Sequence, residues 1–175
     1  MRLALEAANE MEQLSIIGKY AIAGSVAIIY YAEPIDTEDL DIFFLHETKA
    51  SEIFSMQEIY KYFSEKGFTV SDFTVYIGGV KVQFVPSTSS LSDESIQNAR
   101  EVAIFGVKTR VVSPEYLVAL KLRAGRGKDY THILHLLGTT SIPIDFGAID
   151  AILLRHNLRE KWDRFLELTQ WTKPN

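Results

Sequence analysis

The sequence has no cysteine, only five prolines in 175 residues, no long apolar run and no excess of positive charge. The lack of cysteine excludes disulfides, thiolate zinc sites and cysteine nucleophiles. No apolar run approaches the roughly 20 residues that cross a bilayer. Glu6, Glu10 and Glu12 do not fit a secretory signal peptide. These absences predict a cytoplasmic protein with no membrane partner.

Charge is unevenly distributed along the chain. The net charge is −5, with 6 Lys/Arg against 13 Asp/Glu in residues 1–90 and 12 against 10 in residues 91–175. An acidic chain argues against broad, nonspecific binding of nucleic acid. Hydrophobic residues make up 47% of the sequence, and a chain of this length can bury a substantial core.

Hydrophobic periodicity predicts strands mixed with helices, followed by helices alone. Helices are predicted at 2–18, from Ser25 to Pro34, from Ser51 to Gly67, near Ser92–Asn98, from Ser113 and Pro114 to Gly125, and at 129–137, 145–156 and 158–171. Strands are predicted at 20–23 and 40–45, in a hairpin around Gly78-Gly79 and in a pair that turns at Gly106. This order indicates an α/β (α+β) fold, a mixed sheet flanked by helices. We expect a core at 1–112 and a C-terminal helical segment at 113–175 that packs on it.

Two aspartates begin the strand "LDIFFL", which we expect to be central in the sheet and apolar on both faces beyond Asp41. Because residues i and i+2 of a strand point to the same face, Asp39 and Asp41 can converge on one magnesium ion or bridge two. Magnesium is commonly held by one or two carboxylates together with phosphate oxygens. The alternatives for a D-x-D pair are an exposed strand end, a turn or a helix cap.

A Gly-Ser pair ends the strand before this one. A glycine at this point lets the backbone approach a ligand closely, and the helix that follows offers free N–H groups to an anion. Gly24 and Ser25 therefore predict a phosphate-binding turn beside the two carboxylates. The simpler interpretation is a turn and a helix cap.

The combination of strand, Gly-Ser, helix, loop, T-x-D-x-D and strand resembles the nucleotidyltransferase superfamily related to DNA polymerase beta. The segment "VVSPEYLVALKLRAGRGKDYTHILHLL", residues 111–137, is similar to abortive-infection-type toxin nucleotidyltransferases and their small relatives. In that group an S-P-E-x-L-x-x-x-K helix leads into R-x-K-D. The two matches cover roughly residues 20–137, and they imply a nucleotidyltransferase-like fold.

The resemblance implies transfer of a nucleoside monophosphate from a nucleoside triphosphate to an acceptor hydroxyl on tRNA, a protein or a small molecule. Asp39 and Asp41 would hold Mg²⁺ (or Mn²⁺). Gly24, Ser25 and Lys121 would contact the triphosphate, assisted by Arg126 or Lys128. Asp129 would orient a basic neighbour or the next helix. The toxin relatives also imply a toxin–antitoxin pair and hence an antitoxin protein as partner.

One position departs from the pattern. Active members often carry a further carboxylate on a later strand, where "VKVQFVP" has Gln83. Glutamine cannot act as a base or compensate metal charge, and Asp72 is the available substitute. Whether the chain is an enzyme therefore stays open, with a catalytically degenerate nucleotide-binding or protein-interaction module as the alternative.

The remaining polar motifs indicate structure more than chemistry. His132 and His135 are three residues apart on one helix, which favours a surface or packing role. The basic segment "RHNLREKWDRF" favours a solvated helix face over RNA binding, the third alternative.

Overall fold

The computed structural model describes residues 1–46, 52–71 and 74–173, without the side chains of 52–55. The strands in this part of the chain are β1 (Tyr20–Ile22), β2 (Asp39–Phe44), β3 (Thr69–Ser71), β4 (Thr74–Ile77), β5 (Val80–Pro86), β6 (Arg100–Ile104) and β7 (Val107–Val111). The helices are α1 (Arg2–Gln13), α2 (Gly24–Tyr31), α3 (Glu52–Glu65), α4 (Ser90–Gln97), α5 (Pro114–Ala124), α6 (Gly127–Thr139), α7 (Phe146–Arg155) and α8 (Arg159–Thr169).

The described strands form one mixed sheet in the order β3-β4-β5-β2-β1-β7-β6. The β2–β5 and β1–β7 pairs are parallel, and the other neighbouring pairs are antiparallel. The hairpin at Gly78-Gly79 and the strand pair that turns at Gly106 are confirmed. The predicted fold class, a mixed sheet flanked by helices with helices at the C-terminal end, is therefore correct.

The C-terminal helices lie close to their predicted positions. Pro114 takes the first position of α5 after Ser113, as predicted, although the Ser113 side chain makes no capping hydrogen bond. Gly67 follows α3 with a φ of +77°. The predicted N-cap of α3, Ser51, lies outside the described residues.

The prediction that the first helix extends to residue 18 is wrong. Helix α1 ends at Gln13, and Ser15 adopts a positive φ of 56°. The chain must turn here because Ile17 is fully buried and Gly18 donates a backbone hydrogen bond to Leu45 O. A Cβ atom on Gly18 would lie 2.7 Å from that oxygen, so the close approach requires glycine.

The central position of β2 is confirmed, but its burial on both faces is not. Buried and partly exposed residues alternate along the strand. Leu40, Ile42 and Phe44 are in the core, whereas Asp39 and Asp41 are on the other face. The strand therefore has one face in the core and one face at a cleft.

Candidate active site

The partly exposed face of β2 forms the floor of a cleft of about 660 Å³. Asp39, Asp41 and Phe43 alternate along this face, and Gln83 of the parallel neighbour β5 lies beside them. The remaining lining residues come from the start of α2, the loop before β2, β5, and α5, α6 and the turn between them: Gly24, Ser25, Asp36, Thr37, Glu38, Val85, Leu117, Leu120, Lys121, Ala124, Arg126, Lys128 and His132. The cleft therefore contains every site residue that the sequence predicted.

Asp39 is paired with two side chains of β5. In the parallel register, Asp39 lies opposite Lys81 and Asp41 lies opposite Gln83. Lys81 Nζ lies 2.8 Å from Asp39 Oδ1, and Gln83 Nε2 donates to Asp39 Oδ2 at 3.1 Å. The contact with the Asp39 carboxylate raises the pKa of the Lys81 ammonium. Both oxygens of Asp39 thus have a partner at the floor of the cleft.

Asp41 lies in a different environment, against the backbone of Gly24. A Cβ atom on Gly24 would lie 1.8 Å from Asp41 Oδ2, and Gly24 has a φ of +62°, so only glycine fits here. Burial raises the pKa of the Asp41 carboxyl against the opposing charge of Lys121, and the charge of Asp39 raises it further. Within the described residues, no group donates a hydrogen bond to the Asp41 carboxylate.

A buried carboxylate on α6 holds the basic side chains of the opposite wall. Asp129 is fully buried, and its Oδ1 accepts from Lys121 Nζ at 3.1 Å. Its Oδ2 accepts from the Arg126 backbone N–H at 3.1 Å and from Arg126 Nε at 2.8 Å. Although burial opposes it, hydrogen bonding to Arg126 and Lys121 lowers the pKa of Asp129. Asp129 therefore contacts two basic neighbours, Lys121 and Arg126, which agrees with the first of the two roles expected for it, to orient a basic neighbour or the next helix.

Lys121 is itself largely buried. Its side chain is 11% exposed, and Asp129 is its anionic partner. Asp129 pairs with the Lys121 side chain at the cleft wall, and a carboxylate partner offsets part of the cost of burying an ammonium.

The two histidines of α6 have different surroundings. His132 lines the cleft, which the sequence did not indicate, and its buried Nδ1 has no hydrogen-bond partner among the described residues. Burial and the nearby Lys121 lower the pKa of the His132 imidazole. His135 lies 2.8 Å from Glu33 O through its Nε2, a packing contact as predicted.

The aspartate pair fits a divalent cation. Carboxylate oxygens are the ligands that Mg²⁺ prefers, and it takes its remaining ligands from phosphate and water. Asp41 offers a carboxylate with no competing donor among the described residues. The described residues contain no cluster of three acidic or histidine ligands, so the protein contributes two carboxylates at most from that part of the chain.

Sequence reasoning did not anticipate the Lys81 contact, although the signal was present. The stretch K-V-Q on β5 has the same two-residue spacing as D-L-D on β2. Asp72, the predicted substitute for a third carboxylate, lies outside the described residues.

The basic C-terminal segment is paired with acidic side chains. Arg155 and His156 contact Glu94, and Arg159 contacts Asp150. These pairs support the predicted solvated helix face. No described helix combines the length and hydropathy needed to cross a bilayer.

Comparisons with known proteins identify a family and similar folds. Residues 4–151 match a family model described as "Nucleotidyl transferase of unknown function (DUF2204)". A search of curated proteins found no match.

Solved structures are similar over most of their length. An antigenic nucleotidyltransferase-like protein from Paracoccidioides brasiliensis has a TM-score of 0.53 at 18% identity, over 93% of this chain and 89% of that one. The solution structure of the antibiotic-resistance factor ANT(2'')-Ia gives 0.53 at 15% identity, over 97% of each chain. The crystal structure of ANT(2'')-Ia in complex with adenylyl-2''-tobramycin gives 0.51 at 18% identity, over 92% and 95%. These likenesses concern the fold.

Proposed function

The chain belongs to the family of nucleotidyl transferases of unknown function, and from that premise we propose that it is a magnesium-dependent nucleotidyltransferase. It moves a nucleoside monophosphate from a nucleoside triphosphate to an acceptor hydroxyl. The observation that carries the proposal is a single cleft with two same-face aspartates on its floor and a buried, carboxylate-held lysine in its wall.

Asp39 and Asp41 are the residues that would hold Mg²⁺ (or Mn²⁺). The bound ion would offset negative charge at the reacting phosphate. Gly24 and Ser25, at the N-terminus of α2, present backbone N–H groups to the triphosphate. Lys121 contributes a fixed ammonium to the phosphates, and Arg126 and Lys128 add positive charge at the rim.

The reaction forms a bond from the acceptor oxygen to the α-phosphorus and breaks the bond to the β-phosphate, so pyrophosphate leaves. The cleft contributes positioning and electrostatic stabilisation. Gln83 cannot accept the hydroxyl proton, so that proton passes to water or to another group of the cleft. Slow chemistry is therefore expected compared with a site that has a carboxylate base at this position.

The acceptor class is tRNA, a protein side chain or a small molecule, and the toxin resemblance adds an antitoxin as partner. The neighbour ANT(2'')-Ia has been solved with adenylyl-2''-tobramycin. That complex makes ATP and an aminoglycoside a reasonable first pair of substrates to test.

A second candidate function is favoured by Gln83. Its neutral amide donates to Asp39 where active relatives often have a carboxylate. The alternative is a catalytically degenerate module that binds a nucleotide without transferring it.

Thermal melting with each nucleoside triphosphate, with and without Mg²⁺, tests nucleotide binding. A ligand at 100 times its Kd adds about 2.7 kcal/mol to the free energy of unfolding. We expect a magnesium-dependent shift that disappears in Asp39→Asn/Asp41→Asn. The matched control, Asp150→Asn/Asp163→Asn, changes the same charge at exposed positions on α7 and α8 and should keep the shift.

Transfer of label from an α-³²P nucleotide to tRNA, protein or aminoglycoside then separates the two candidates. Label on an acceptor supports the transferase, whereas binding without transfer supports the degenerate module. If no nucleotide shifts the melting temperature, both candidates are wrong for this chain.

A further inference from the structure

Strand β5 presents a lysine and a glutamine to the two aspartates of β2. The parallel register sets Lys81 opposite Asp39 and Gln83 opposite Asp41. Lys81 and Gln83 are two residues apart, so both side chains lie on the cleft face of the sheet. The D-x-D pair therefore faces one positive and one neutral side chain.

The contacts of Asp39 place a positive charge beside any metal ion that it would hold. Its Oδ1 lies 2.8 Å from the Lys81 ammonium, and its Oδ2 accepts the Gln83 amide at 3.1 Å. The two charged side chains are 32% and 29% exposed, so solvent screens the pair only in part. The contact with Lys81 is an ion pair, and the contact with Gln83 is a hydrogen bond from a neutral amide to a carboxylate.

A two-metal phosphoryl-transfer site needs ligands clustered around both ions, and among the described residues the other two acidic residues of the cleft, Asp36 and Glu38, form no such cluster with Asp39 and Asp41. Two divalent ions about 3.5–4 Å apart repel each other and are held together by bridging and flanking oxygen ligands. Here Gln83 is neutral, and no cluster of three acidic or histidine ligands occurs among the described residues. Lys81 already places one positive charge on the carboxylate that would bridge the ions.

We propose that the Lys81 ammonium takes the place of a second metal ion, so that the site binds one divalent cation per nucleotide, with Asp41 as its principal protein ligand. This inference rests on the proposed function. Lys81 is then a positioning residue, which holds Asp39 and supplies a permanent positive charge beside the bound ion.

Metal stoichiometry tests the inference without an activity measurement. Mn²⁺ is titrated into the protein saturated with α,β-methylene-ATP, and free Mn²⁺ is followed by electron paramagnetic resonance. We expect one Mn²⁺ per complex in the wild type and in Lys81→Arg, which retains the cation. We expect two in Lys81→Met/Gln83→Glu, because this variant removes the positive charge and adds a carboxylate beside Asp39.

A control variant, Lys61→Met/Gln97→Glu, makes the same changes at exposed positions on α3 and α4 and should keep one Mn²⁺. Circular dichroism checks that each variant folds. Two Mn²⁺ ions in the wild type would overturn the inference and leave the proposed function intact. One ion in the folded Lys81→Met/Gln83→Glu variant would also overturn it. No Mn²⁺ and no nucleotide binding in the wild type would overturn the proposed function as well.

Discussion

Asp39 and Asp41 share a strand and a face, yet their environments differ. Asp39 has an ammonium and an amide as partners, whereas Asp41 lies against Gly24 with no donor among the described residues. Burial therefore disfavours the ionised form of Asp41. A buried carboxylate whose ionised form has no partner in the folded protein is typical of a binding position, because the ligand supplies the missing interaction.

The substitution Asp41→Asn should stabilise the protein in the absence of ligand. Burial raises the pKa of Asp41 in the folded state, so the folded state binds more protons than the unfolded chain between the two pKa values. Wild-type stability accordingly falls as the pH rises from about 3.9, the unfolded value, through the raised folded value. The gain in free energy of unfolding of Asp41→Asn over the wild type is absent at low pH and complete at neutral pH. Its size is on the order of 1 kcal/mol.

Urea unfolding between pH 4 and pH 8 measures this difference. Asp39→Asn is the contrasting variant, because it removes the ion pair to Lys81 and should show no such gain. With Mg²⁺ and nucleotide present, the wild type should have a higher free energy of unfolding than Asp41→Asn. If the stability difference at neutral pH has the opposite sign, the carboxylate is stabilised by a contact that the folded structure does not reveal.

At the scale of single residues, the sequence predicted which residues line the cleft but not all of their partners. Asp39, Asp41 and Lys121 could be predicted because a local motif places them. The Lys121–Asp129 contact follows from a spacing of eight residues across one turn. The Lys81–Asp39 pair spans 42 positions and depends on the register of two parallel strands, which a single sequence does not specify.

The turn from β1 into α2 is the element on which the site depends. Gly24 begins the helix with a positive φ, and its α-carbon lies so close to Asp41 that a methyl group has no space. The first two residues of α2, Gly24 and Ser25, line the cleft beside the aspartates, and the first N–H groups of a helix have no partner within it. Backbone conformation, more than side-chain chemistry, therefore fixes this part of the site.

We expect Gly24→Ala to lower stability by about 1–3 kcal/mol, because it combines strain at positive φ with a clash against a short side chain. Nucleotide binding should be lost as well, since either Asp41 or the turn must move. Gly138→Ala is the matched control, because that glycine lies within α6 with nothing near its Cβ position. It should raise stability by roughly 0.5–1 kcal/mol.

Thermal melting and nucleotide titration of both variants provide the measurement. If Gly24→Ala retains wild-type stability and affinity, the contact between Gly24 and Asp41 is not the constraint that the geometry indicates. A loss of stability in Gly138→Ala would mean that backbone entropy is not the reason for the difference between the two glycines.

Helices and strands were predicted correctly where the sequence pattern is local. They were predicted less accurately where tertiary contacts determine the end of an element or the exposure of its face. The hairpin at Gly78-Gly79 depends on turn residues and was correct. The end of α1 depends on the burial of Ile17 and on the approach of Gly18 to Leu45, and helix propensity does not report either contact. The open face of β2 was missed because an apolar residue, Phe43, lines the cleft.

At the scale of the whole molecule, α5 connects the sheet region to the C-terminal helices. Eight of its eleven residues are buried. It packs against α2 and α4 on one side of the predicted boundary at 112/113, and against α6, α7 and α8 on the other. Lys121 and Asp129 lie beyond the boundary but complete the cleft that begins on β2.

The two predicted segments should therefore unfold as one cooperative unit. Removal of residues 113–175 would expose the surfaces of α2 and α4 that α5 covers, and an exposed apolar surface of this kind costs about 25 cal/mol per Å². Both tryptophans, Trp162 and Trp171, lie in the C-terminal segment, so their fluorescence reports that segment alone. Hydrogen exchange of the β1 and β2 amides reports the sheet.

We expect the same midpoint and the same free energy of unfolding from tryptophan fluorescence and from sheet amide exchange in urea, since coincident probes indicate a two-state transition. Trp171→Phe leaves Trp162, which is buried, as a single reporter and should give the same midpoint. Two separated transitions would instead show that the C-terminal helices fold independently of the sheet. The cleft would then be an interface between two units. Nucleotide should raise the midpoint of both transitions, because the residues proposed to bind it belong to both units.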